Sequence, residues 1–271
     1  MDAITVQSTR RVPTFALVPY VLITFSITWG IIGFYIFRQD QAVAWFGEIS
    51  GTHPLYVIAT WAPAFAAFTV VLAFGGTPGF SAYLSRLAIW RCSLGWAAFL
   101  LIGVPLIFAA GALVKGTLPA PLPFDSLGQV LSLMAFMLFL GPVEEFGWRG
   151  VAQPLLQRCM APIWAGLLIG GTWGLWHFPA FYLSGTVYTE WSFLPFFIGN
   201  VTLAVIVTPL FNGSRGSILL PALFHYQLIN PLWPDAQPYD TWFFVAVAGV
   251  VVWIHRATMF TRDGAVSQVI P

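Results

Sequence analysis

Five ionisable residues interrupt the apolar stretches of this 271-residue chain: Glu144, Glu145, Arg149, His177 and His225. A charge at the centre of a bilayer costs about 2.5–3.5 kcal/mol on insertion scales. Residues of this kind therefore pair inside the protein or serve a function. Glu145 and Arg149 are four apart with the glutamate first, the favourable helical pairing. Glu144 is turned about 100° from Glu145 on an ideal helix, so it faces a different partner. A buried carboxylate with no cation beside it suits the work of a general base near neutrality. His177 and His225 could supply a second proton carrier or hydrogen-bond donors to an oxyanion. With Glu144 they could also form a three-ligand metal set that leaves a position for water. The plain alternative is a packing clasp, in which Glu and Arg pair and the histidines tie neighbouring helices together. His53 and His255, in a loop and at a helix end, carry no expected role.

The elements that must position these residues follow from composition. The chain is 58% hydrophobic and only 8% charged, against roughly 25% charged in a soluble domain. Lipid is the solvent that such a surface requires. A net charge of +1 argues against nucleic acid as a partner, and two cysteines, Cys92 and Cys159, are too few for a disulfide framework. A spanning helix needs about 20 apolar residues. That length predicts about eight spans, near 15–37, 54–74, 93–114, 127–149, 162–183, 192–211, 216–231 and 241–256. The first reads as an uncleaved span. Turns are expected at Gly75–Gly79, at 119–123 and at Asn212–Gly216. The expectation is an all-α polytopic bundle forming one transmembrane domain over 1–271, with its motif-bearing core at about 127–231.

Lys and Arg set the orientation of such a bundle. Arg10, Arg11, Arg86, Arg91, Arg149, Arg158, Arg215, Arg256 and Arg262 fall at one end, and only Arg38 and Lys115 at the other. The second end also receives Asp40, Glu48, Asp125, Glu190, Asp235 and Asp240. Both termini are thus expected in the cytoplasm, along with both cysteines, where thiols stay reduced. The 13 tryptophans are expected chiefly as lipid-facing or interfacial anchors.

Glu144-Glu145-Phe146-Gly147-Trp148-Arg149 resembles the EExxxR motif of the CAAX protease and bacteriocin-processing family, integral membrane endopeptidases that include the Ras-converting CAAX protease. Trp173-Gly174-Leu175-Trp176-His177 is similar to its FxxxH motif, with Trp in place of Phe. Gly216 to His225 resembles the lead into its HxxxN motif. The three motifs stand in the family's order on separate helices.

The resemblance implies that Glu144 activates water with help from His177, and that His225 helps hold the oxyanion. It makes Glu145 and Arg149 structural partners. Four residues after His225 the family pattern has Asn, where this chain has Ile229, with Asn230 one further on. Asn230 is the expected fourth site residue, on condition that Pro231 ends or distorts the helix. No metal is required in this reading, although zinc on Glu144, His177 and His225 is an alternative. Straight helices would hold the three at different depths, so they converge only where helices tilt or break.

The expected function is hydrolysis of a peptide bond in a prenylated tail, a leader peptide or a membrane-protein segment. The expected setting is a bacterial plasma membrane, with the site open to the cytoplasm and membrane lipids as the other partner. Two competing readings are a non-catalytic relative that binds a membrane or peptide partner, for immunity or as a scaffold, and a proton-coupled transporter.

Overall fold

The computed structural model describes residues 11–118 and 124–271; Arg10 and the turn expected at 119–123 lie outside them. The chain is helical throughout, with no strand among the described residues. Five helices are long and apolar enough to cross a membrane: α1 (Thr14–Phe37), α2 (Ala62–Ala88), α3 (Leu94–Lys115), α4 (Leu127–Leu156) and α6 (Phe193–Gly213). Three shorter helices, α5 (Pro162–Trp176), α7 (Leu219–Leu228) and α8 (Tyr239–Ile254), fall where the other spans are expected. At 15, 10 and 16 residues they are below the about 20 that a straight crossing needs. Five long helices and three shorter ones therefore occupy the eight expected segments. The early ends of α5 and α7 have local causes. Pro179 follows α5 within a tight 3-10 turn, Phe178–Tyr182, and Pro231 follows α7.

Two long helices carry breaks that the hydropathy pattern does not show. In α2 the expected Gly75–Gly79 turn is a kink within a continuing helix. Gly76 takes φ 64°, ψ −168° and Pro78 follows, a conformation that glycine adopts without steric cost. In α4 the regular helix runs to Leu140, gives way at Gly141-Pro142 to a 3-10 turn over Pro142–Glu144, then widens into a π turn over Trp148–Ala152. π turns inside helices frequently mark functional sites. This one loosens the carbonyls of Arg149 and Gly150, and a buried side chain from α2 takes them up. Arg86 donates to Gly150 O at 2.7 Å and Arg149 O at 3.2 Å, and also to Gly216 O at 2.6 Å and Val269 O at 3.0 Å.

That clamp corrects the reading of Arg86 as a loop charge, since it is 2% exposed. Arg149, 1% exposed, is likewise interior. A guanidinium with five donors can satisfy several carbonyls at once, which makes burial tolerable. Asp240 was expected in a loop and is instead 4% exposed at the start of α8.

The central core joins α1, α2, α4 and α5 through Tyr20, Val70, Trp148, Val151, Leu155 and Ile169. Close approach of α4 to α2 depends on Gly147, where an added Cβ would lie 2.6 Å from Pro63 O. The two ends of the described chain meet at one end of the bundle. The Arg158 guanidinium donates to Val12 O at 2.6 Å and to Ser267 O at 2.7 Å.

Candidate active site

The break in α4 determines where the two glutamates point. The 3-10 turn ends at Glu144, and the helix resumes at Glu145. Both are buried, at 3% and 2% exposure. Their partners differ. Glu145 Oε1 accepts from Arg149 Nη1 at 3.0 Å, the pairing that the four-residue spacing predicts, and bonds His225 Nδ1 at 2.9 Å. Glu144 meets no cation within ion-pairing distance among the described residues. Its Oε2 accepts from Trp173 Nε1 at 2.8 Å and from Trp148 Nε1 at 3.4 Å. Both indoles use the same oxygen. Oε1 has no donor among the described residues, and Glu144 lines a cavity of about 800 Å³.

His177 lies at the end of α5 and lines the same cavity. Its Nδ1 is 2.9 Å from Trp173 O. A carbonyl only accepts, so Nδ1 carries the proton and Nε2 keeps a free lone pair. Trp176, Phe196 and Tyr188 surround the ring at centroid distances of 4.6, 5.1 and 5.7 Å. Tyr188 stays a neutral donor, because burial pushes its phenol well above the ordinary range, with Tyr56 and Glu144 adding to the effect. His225, 4% exposed, faces the cavity from α7 with its Nδ1 committed to Glu145.

Helix α7 ends at Leu228, with Ile229 outside helical geometry at φ −115°. Ile229 and Asn230 both line the cavity. Ile229 packs over Gly141, beside His225 Nε2. The Asn230 amide is engaged within its own turn. Its Nδ2 donates to Gln227 Oε1 at 3.2 Å, and its Oδ1 accepts from Leu232 N at 3.0 Å. The chain thus brings Glu144, His177, His225 and Asn230 to one cavity. It holds Glu145 and Arg149 behind the wall.

No three of the His, Cys, Asp and Glu side chains converge closely enough to hold a metal ion among the described residues. Each imidazole has Nδ1 on a protein acceptor, which leaves Nε2 of both rings available.

Several participants escaped the sequence reading. Trp148, Trp173 and Trp176, at 1%, 4% and 2% exposure, are interior rather than interfacial anchors. Two of them bind the glutamate directly. Helical spacing could have found them, because Trp148 follows Glu144 by four and Trp173 precedes His177 by four. The Trp that replaces Phe in the second motif supplies an N–H that Phe lacks. Asp240 lines the cavity too, and its Oδ1 accepts from Thr241 N at 2.9 Å.

The cavity also has a direction. The connecting segments in its wall are Ser50–Thr52, Gly185–Trp191 and Asn230–Gln237. All belong to the end of the bundle opposite Val12, Arg158 and Ser267. The described ends of the chain and these connecting segments therefore lie at opposite ends of the bundle.

These features define a class: a polytopic helical membrane protein with a buried glutamate and a histidine exposed to one internal cavity. Residues 126–230 match the model of the type II CAAX prenyl endopeptidase Rce1-like family. A CAAX prenyl protease 2 of Methanococcus maripaludis is 28% identical over 152 residues, covering 52% of this chain and 56% of that protein. The match therefore spans little more than half of that relative's length. The family resemblance read from the motifs is borne out by both comparisons.

Proposed function

We propose that the chain is an intramembrane endopeptidase in which Glu144, assisted by His177, activates water for attack on a peptide carbonyl. One observation carries this reading. Among the described residues, Glu144 Oε1 and the lone pair on His177 Nε2 are both unengaged and belong to one cavity. Glu144 takes a proton from water as the oxygen attacks, and that proton passes to the departing amine. His225 faces the developing oxyanion through Nε2, which donates only when the ring carries both protons. Glu145 is then its counter-ion at 2.9 Å. Asn230 adds a donor if its turn opens. Such donors are worth about 100- to 1000-fold in rate where they have been removed.

The chemistry needs no metal in this reading, since carboxylate and imidazole supply base and orientation themselves. The substrate is a peptide segment of a lipidated, leader or membrane-associated polypeptide. Both termini are cytoplasmic in a bacterial plasma membrane.

Purified Glu144→Gln protein is expected to lose cleavage of an internally quenched peptide completely while keeping its thermal unfolding profile. Undiminished turnover in that variant overturns the mechanism. Wild-type activity is expected to survive exhaustive chelation, with metal content followed by mass spectrometry. Loss on chelation and recovery with zinc would assign the water to a metal instead.

A non-catalytic, partner-binding reading draws on Ile229, which stands where the family pattern has an amide. A biological effect retained in Glu144→Ala cells would favour it.

A further inference from the structure

The cavity mouth and the basic residues lie at opposite ends of the bundle. Only Lys and Arg residues that reach the surface bear on sidedness. Among the described residues, removing buried Arg86 and Arg149 leaves Arg11, Arg91, Arg158, Arg215, Arg256 and Arg262 at the end where the described termini meet. Contacts hold that end together. Arg262 donates to Arg158 O at 2.9 Å, and Gln157 Nε2 donates to Asn212 Oδ1 at 2.9 Å and Val266 O at 2.7 Å.

The mouth end carries Arg38 and Lys115, and Lys115 is tied to Asp235 at 2.6 Å. The two longest connecting segments in the cavity wall, 177–192 and 229–238, contain no Lys or Arg. Short loops rich in Lys and Arg stay in the cytoplasm, while acidic residues have little influence. Six surface cations against two point one way. The floor agrees, because towards the basic end the site is closed by buried Tyr20, Trp148, Val151, Leu155 and Ile218.

We propose that the cavity is entered from the non-cytoplasmic side of the membrane, so that its peptide is a segment of an exported or membrane-inserted polypeptide exposed on that side. The substrate half of this statement rests on the endopeptidase reading; the sidedness does not. A tail presented from the cytoplasm would meet the packed core rather than an opening.

The chain supplies its own marker for the test. Cys159 is exposed at the basic end, and Thr52 is exposed in the mouth. Two proteins are made in a bacterial host: Cys92→Ala, which keeps Cys159 alone, and Thr52→Cys in a Cys92→Ala, Cys159→Ala background. Spheroplasts are treated with a membrane-impermeant maleimide before and after permeabilisation. The expected result is labelling of Thr52→Cys on intact spheroplasts and of Cys159 only after permeabilisation. The reverse pattern, labelling of both sites on intact spheroplasts, or a Thr52→Cys that never reacts would overturn the proposal.

In parallel, an impermeant quenched peptide is added to spheroplasts carrying wild-type or Glu144→Gln protein. Cleavage by wild type alone supports the substrate half. If labelling is as expected but purified wild-type protein cleaves none of the peptides tested, the endopeptidase reading fails and the sidedness stands.

Discussion

Glu144 and Glu145 are adjacent and equally buried, yet their surroundings give them different work. Among the described residues, Glu145 is matched by Arg149 and His225, whereas Glu144 is met only by two indole N–H groups on one oxygen. A hydrogen bond to a charged group is worth about 1.5–3 kcal/mol. Trp173→Phe, which restores the family's motif residue, is therefore expected to lower kcat by about 10- to 100-fold with KM little changed. Steady-state kinetics on a quenched peptide would check this, and an unchanged kcat would remove Trp173 from the mechanism. Glu145→Gln leaves Arg149 and His225 without their shared carboxylate. Breaking a buried pair in this way costs about 3–5 kcal/mol, so thermal unfolding should shift down along with activity. The Glu145–Arg149 pairing was legible from spacing alone. The tryptophans were not, because in a chain with 13 of them residue type does not separate an anchor from a ligand. Only the fold decides which indole points inward.

At the level of single helices, hydropathy marked where apolar segments lie but not how they are broken. Average hydrophobicity is blind to a 3-10 or π turn, since the residues involved remain apolar. Those breaks let α4 offer a glutamate to a cavity that also receives α5 and α7. Arg86 is the price of the π turn, holding its two loosened carbonyls from α2. Lys cannot reproduce the fork of donors, so Arg86→Lys is expected to lower the unfolding midpoint in detergent by several degrees. A midpoint equal to wild type would show that the loosened carbonyls need no partner. Gly147→Leu should separate α4 from α2, because its Cβ already meets the Pro63 backbone. Overpacking of this kind costs about 1–3 kcal/mol, read in the same melt.

For the whole molecule, composition alone was enough to read an all-helical membrane bundle, and motif order was enough to read the family over residues 126–230. Where the shorter helices begin and end was not legible. Helices of 10 to 16 residues reach full hydrophobic length on paper only when their flanking turns are counted with them. The direction of the cavity was equally hidden, because it depends on which loops stand apart and which pack down. Two of the Lys and Arg residues in the sequence sum, Arg86 and Arg149, are buried and take no part in the surface charge bias.

The reach of Arg86 to Val269, 183 residues further along the chain, bears on how the protein is made. Val269 is made long after α2 and α4, so the last of the four acceptors around Arg86 is supplied only late in synthesis. Pulse-labelled chains should accordingly become protease-resistant only after the segment carrying Val269 has been released.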